Sequence, residues 1–268
     1  MRKLVAHLLA VLLVFLLAHA ASAQQAGKST RIGYLEDSTA AGRAELLEVF
    51  RQQMSQLGWV EGKNLTIEYR FGEGKGPDRL AELAAELAGK RLEILKEVVP
   101  RSTRVGVLGV AGRGRGAQLQ FKEMKAAALA LGLKLEQVGV AIDSEGLEIA
   151  FQTAVRERVN VVITISSPVI FSQRKRIVEL AGKYRLPAIY SQKEFVDEGG
   201  LMSYGIDYRD LHRRAATYVD KILRGTKPAD LPVEQPTKFE FVINLKAAKQ
   251  IGVTIPPNIL ARADNVIK

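Results

Sequence analysis

An α/β fold built on parallel sheets is predicted by three observations. Strand-like and helix-like segments alternate along almost the whole chain, which is the pattern of a parallel sheet covered by helices. Residues 159–165 are almost wholly apolar, as a strand covered on both faces must be. No internal repeat at a solenoid period interrupts the alternation.

The elements follow in order. Arg2 and Lys3, an apolar run over 4–18 and Ala21-Ser22-Ala23 before Gln24 read as a secretory signal peptide, so residues 1–23 are expected to be removed. The run is short for a membrane span and contains His7 and His19 nearby, so no stable membrane insertion is expected after cleavage. Residues 31–35 read as the first strand. Asp37, Ser38 and Thr39 offer capping oxygens to a helix in which Leu46, Leu47, Phe50, Met54 and Leu57 recur at helical spacing until Gly58. Leu65, Ile67, Tyr69 and Phe71 alternate with polar residues as a second strand. Asp78 opens a helix marked by Leu80, Leu83 and Leu87, and its pattern runs on through Gly89-Lys90-Arg91 to Ile94 and Val98, with two charges where the apolar stripe should persist. That is a seam. Beyond Pro100 a second series is predicted: strand 104–110, helix 118–131, strand 133–138, helix 145–158, strand 159–165, helix 171–184, strand 188–190 and strand 201–204. A helix lined by Leu211, Ala215, Tyr218 and Ile222, a linker over 228–236, strand 239–243, a short helix over 245–250 and a turn at Pro256-Pro257 complete the chain.

Composition narrows the chemistry. With 47% apolar residues the 268-residue chain can bury one large or two modest domains. The net charge of +10 is spread among acidic neighbours without interleaved aromatic platforms, so no nucleic-acid partner is expected. There is no cysteine, hence no disulfide and no lipid-carrying residue, and the exported product is expected to be periplasmic and free rather than a lipoprotein. His212 is the one histidine outside the leader, too few for a zinc site or a Cys-His pair. No Gly-x-Ser-x-Gly elbow occurs. Gly112-Arg113-Gly114-Arg115-Gly116 lies out of register for a dinucleotide loop and lacks the P-loop Lys-Ser/Thr, so it reads as a surface turn. No catalytic residue, cofactor or metal is expected.

In open α/β sheets, ligands bind outside the carboxyl ends of the strands, near helix N-termini. That rule selects Asp37, Ser38 and Thr39 after the first strand, Ser166, Ser167 and Pro168 after the apolar strand, Ser191 and Gln192 after Tyr190 with Glu194 beyond them, and Gly205 and Asp207 after Tyr204. Hydroxyls, carboxylates and two tyrosines suit a small polar or zwitterionic solute held by hydrogen bonds. Helix capping accounts equally for Asp37, Ser38 and Ser167, and core packing for Tyr190 and Tyr204.

Several blocks carry a family resemblance: Arg31-Ile32-Gly33-Tyr34-Leu35, Leu57-Gly58-Trp59-Val60-Glu61-Gly62-Lys63-Asn64-Leu65, Leu186-Pro187-Ala188-Ile189-Tyr190, Gly199 through Gly205, and Leu231-Pro232-Val233-Glu234-Gln235-Pro236-Thr237. Together they resemble the extracytoplasmic solute-binding proteins of ABC transporters, in the subgroup of tryptophan/tyrosine binders. The resemblance implies a two-lobed, type I periplasmic-binding-protein-like fold that closes on an amino-acid-like solute and delivers it to an ABC permease in the inner membrane. It implies residues 24–100 as a first lobe completed by C-terminal segments, 101–206 as a second lobe, and 207–268 as a returning helix, strand and tail across the hinge. The chain departs from the family at the seam, where two β-α units of ~30 residues each are missing from the first lobe. Ser166-Ser167-Pro168 also stands where a Gly-Asp-Pro pattern is expected. Two other readings stay open: a poorly folded, non-functional remnant of such a protein, and an exported α/β hydrolase using Ser166 or Asp207, which lacks a base partner.

Overall fold

The computed structural model describes residues 29–36, 40–71, 79–109, 115–139, 144–234, 236 and 238–268. Asp37, Ser38, the leader and the glycine-rich turn at 112–114 lie outside the described residues. Strand β1 (Thr30–Glu36) leads to helix α1 (Ala40–Gln56) and strand β2 (Leu65–Phe71). In β2 the buried Leu65 and Ile67 alternate with exposed Thr66 and Glu68, the period expected where one face meets a core. Parallel pairing of β1 with β2 places Thr30 opposite Leu65 and Ile32 opposite Ile67.

Helix α2 (Arg79–Val98) runs unbroken through the seam. The two charges there part company: Lys90 faces solvent and pairs with Glu93 at 2.6 Å, while Arg91 is 0% exposed. Ala88, Leu92, Ile94, Leu95 and Val98 enter the larger of two hydrophobic clusters. Gly89 brings α2 close to the following helix, since a Cβ there would stand 3.5 Å from that of Ala127.

The second series comprises β3 (Arg104–Gly109), α3 (Arg115–Ala130), β4 (Lys134–Gly139), α4 (Ser144–Arg156) and β5 (Val161–Thr164). After them come α5 (Pro168–Ser172), α6 (Arg174–Lys183), β6 (Ala188–Tyr190), α7 (Glu194–Asp197), β7 (Met202–Ile206) and α8 (Tyr208–Leu223). A short 3-10 turn at Pro228–Asp230 precedes β8 (Phe239–Asn244), α9 (Leu245–Ile251), α10 (Pro257–Leu260) and β9 (Asn265–Ile267). Seven strands form one sheet in the order β4-β3-β5-β6-β7-β8-β9, parallel except for the antiparallel β7–β8 pair. The α/β class and the predominance of parallel pairing agree with the expectation. Three details differ. The helix predicted over 171–184 is two, because Pro168 starts a turn of its own and Gln173 leaves helical geometry between them. Helix α7 and strand β9, of 4 and 3 residues, were not anticipated, since elements this short carry no periodicity and exist through pairing.

A smaller cluster of Phe50, Met54, Leu65, Ile67 and Ala216 holds β1, β2, α1 and α8 together. Helix α8 begins at the end of β7, with the Asp207 carboxylate accepting from the Asp210 N–H at 2.9 Å, and reaches across to this unit. Polar contacts fix it there: Trp59 Nε1 donates to Asp220 Oδ1 at 2.8 Å, Arg224 Nε donates to the same oxygen at 2.6 Å, and Arg224 Nη2 donates to the Leu57 carbonyl at 2.9 Å. The Trp59 N–H, and next the Arg224 guanidinium, hold the Asp220 carboxyl below the usual carboxylate range. A depressed folded-state value means that this contribution to stability is complete above the unfolded value of about 3.9 and is lost as pH falls through the folded one. Trp59 is the one tryptophan, so its fluorescence reports this junction directly. In Asp220→Asn, the part of the acid-induced fluorescence change below about pH 4 is expected to disappear and the variant to be less stable than the parent at pH 7; an unchanged acid profile would refute the assignment.

Candidate functional site

The buried β5 ends at Thr164, and the chain emerges through Ile165 into Ser166 and Ser167 before Pro168 begins α5. Ser166 is held from two sides. Its N–H donates to Gln120 Oε1 at 2.8 Å, and Gln120 Nε2 donates back to its carbonyl at 3.1 Å, a reciprocal clamp between α3 and the strand mouth. From α2, Arg91 Nη1 donates to the Thr164 carbonyl at 3.0 Å and Arg91 Nη2 to Ser166 Oγ at 3.3 Å. Burial pulls the Arg91 guanidinium down to about 10, which leaves it charged at neutral pH. Ser167 takes the N-cap position of α5 in extended geometry, but its side chain makes no capping hydrogen bond.

The next mouth, after β6, is built by close packing. Tyr190 is 1% exposed and stacks on Phe195 with centroids 4.8 Å apart and planes at 7°; burial pushes its phenol up. Ser191 and Gln192 are buried, and Gln192 Oε1 has no hydrogen-bond partner. Glu194 opens α7, half-buried; burial pushes its carboxyl above the ordinary range against the pull of Lys193 and Arg43. Gly205 lies under the Ser191 carbonyl, so close that a Cβ at 205 would fall on that oxygen. Tyr204 stacks on Phe239 at 6.3 Å and meets Phe241 edge-on at 6.1 Å. The two Asp207 oxygens serve the N-cap of α8 and an ion pair with Lys238 at 3.2 Å.

The structure therefore brings Ser166 and Ser167 together at one mouth, and joins Gly205 to the neighbouring one through Ser191. It places Tyr190 and Tyr204 in aromatic packing and Asp207 in a helix cap. Three side chains at these mouths escaped the sequence reading. Arg91 and Gln120 are two, and each carried a signal: Arg91 stands on the Leu87-Arg91-Leu95 stripe and Gln120 four residues before the buried Met124, so both are polar residues at apolar positions. Arg43 is the third, its guanidinium 5.5 Å from the Phe171 ring centre and 5.2 Å from that of Tyr208.

Ser166 and Arg91 do not form a nucleophile–base pair. A guanidinium has donors and no acceptor, so Arg91 cannot take a proton from Ser166. His212 is engaged by the Tyr208 carbonyl at 2.8 Å and the Tyr34 hydroxyl at 3.1 Å. Among the described residues no group of three His, Asp or Glu side chains is placed to hold a metal ion, and no helix is long and apolar enough to cross a membrane.

Comparison with known proteins supplies a family and a fold. A family model described as ABC transporter substrate binding protein matches residues 83–267. A conserved domain protein from Vibrio cholerae O1 biovar El Tor superimposes with a TM-score of 0.73 at 21% identity, covering 89% of this chain and 100% of that one. An ABC domain from Streptococcus pneumoniae, solved in complex with L-Trp, gives 0.70 at 20% identity over 89% of this chain and 100% of the other. A periplasmic sugar-binding protein from Legionella pneumophila gives 0.53 at 11% identity over 73% and 95%. No curated protein matches the sequence.

Proposed function

The chain belongs to the ABC transporter substrate-binding proteins, and from that premise we propose that it captures a small polar, amino-acid-like solute outside the cytoplasm and hands it to a membrane permease. The family is one of binding proteins, and the fold is the α/β fold of the solved neighbours. The observation that carries the reading is the Ser166-Ser167 mouth of β5, where the Ser166 peptide is clamped on both sides by Gln120 and the Ser167 hydroxyl is left over from capping. Ser166, Ser167, Glu194 and the Gly205 turn grip the solute from one side, with Tyr190 and Tyr204 packed behind them, Asp207 holding α8 in place, and Asp37 and Ser38 closing from the other. The Streptococcus pneumoniae relative, solved with L-Trp, supports an aromatic amino acid among the candidates. The leader supports export to the periplasm, with cleavage after Ala23.

Closure requires that solute bind the shut state better than the open one, and a two-stranded first unit offers little surface for that difference. Dissociation constants weaker than about 1 μM are therefore expected. Isothermal titration of the purified chain with amino acids, aromatic ones included, tests this. Ser166→Ala is expected to weaken the observed binding about 2- to 13-fold, the worth of one hydrogen bond. Absence of saturable binding across the set would refute the reading in favour of a remnant.

A further inference from the structure

We propose that the group received at the Ser166 mouth is a carboxylate, and that Arg91 is the positioning residue that selects it, acting through the Ser166 hydroxyl. The inference rests on the solute-binding reading above and adds the charge of the solute.

The first step is directional. Ser166 Oγ accepts from Arg91 Nη2, and a guanidinium can only donate. The Ser166 proton is thus turned away from Arg91, and the hydroxyl meets an incoming group as a donor. Gln120 fixes the Ser166 backbone through both its N–H and its carbonyl, and Arg91 holds the hydroxyl. A solute acceptor is favoured there, and an ammonium is not.

The second step is electrostatic. Exposed or half-exposed arginines of this chain are commonly paired with carboxylates: Arg51 with Glu61, Arg104 with Glu136, Arg176 with Glu148, Arg224 with Asp220, Arg262 with Glu97. Arg91 is 0% exposed, yet among the described residues no carboxylate lies within 4 Å of it, and its Nε has no hydrogen-bond partner. A buried cation without a counterion is costly. Its retention at the mouth of β5 is explained if the solute supplies the negative charge. Burial also keeps the interaction unscreened, so it remains strong one hydrogen bond away.

A purely structural Arg91, tying α2 to the end of β5, predicts a different outcome in one experiment. Wild type, Arg91→Met, Arg91→Lys and Ser166→Ala are titrated calorimetrically with L-phenylalanine and L-phenylalaninamide, L-leucine and L-leucinamide, and benzoate and benzamide. The wild type is expected to prefer the acid of at least one pair by ten-fold or more. Arg91→Met is expected to bring that ratio to within about two-fold of unity, and Arg91→Lys, which keeps the charge, to recover part of the preference. Ser166→Ala is expected to reduce the ratio with Arg91 still present. Equal affinities for acid and amide in the wild type, or a ratio that survives Arg91→Met, overturns the inference and leaves the solute-binding reading standing. No saturable binding of any probe by the wild type overturns both.

Discussion

Gly205→Ala is expected to lower the thermal midpoint by about 6–12 °C, from a destabilisation of about 3 kcal/mol. The reason is backbone against backbone. A methyl group at 205 would fall on the Ser191 carbonyl oxygen and stand 3.0 Å from the carbon that bears it, and neither atom can rotate aside as a side chain would. Relief requires β7 to move, but β7 is held on both flanks, with Tyr190 opposite Ser203 on one side and Glu240 opposite Gly205 on the other. The displaced Ser191 would carry Gln192 and the start of α7 with it, so binding should weaken alongside stability. Gly33→Ala is the control, because nothing lies within 4 Å of a Cβ there. Differential scanning calorimetry reads both; a midpoint for Gly205→Ala within about 2 °C of the parent would show that the sheet yields more easily than argued.

Phe50→Ala is expected to unfold the β1-α1-β2 unit while leaving the seven-stranded sheet intact. Phe50 is 3% exposed, meets the Tyr34 ring edge-on at 5.5 Å, and is one of five buried residues in the smaller cluster among the described residues. Truncating a buried phenylalanine costs about 3–5 kcal/mol. A two-stranded sheet depends on such packing for its existence, so the loss exceeds what local structure can absorb. Hydrogen exchange is the measurement: amides of 46–56 and 65–70 should lose protection while those of 105–108, 161–164 and 202–206 keep theirs. Trp59 emission should shift to the red as its contact with Asp220 opens. Uniform loss of protection across both regions would mean that the two clusters form one cooperative unit.

Much of the fold was legible because its signals are local. Alternation in β2, the apolar run of β5 and the punctuation by Gly58 and Gly225 are properties of a few neighbouring residues, and the structure repeats them closely. The candidate site was legible less evenly. Strand mouths are predictable, so the sequence places Ser166 and Ser167 just after β5; whether a residue at a mouth faces solute, core or helix N-terminus depends on what packs over it. Asp207 caps α8 and Tyr190 stacks on Phe195 for reasons that no spacing encodes. The seam was visible as a charge out of pattern, but its meaning was not, because an arginine on an apolar stripe is equally consistent with a surface break or a buried cation.

What the sequence determined alone was the succession of strands and helices, the parallel sheet that follows from it, and the family to which its motifs point. Only the tertiary structure decided that the two charges at the seam part, Lys90 to solvent and Arg91 to the core, that α8 crosses to the smaller unit before β8 and β9 return to the large sheet, and that Arg91 lies under Ser166. Periodicity is written in residues three or four apart, whereas burial and charge compensation depend on groups brought together from 70 or more positions away, as Arg91 and Thr164 are, 73 residues apart.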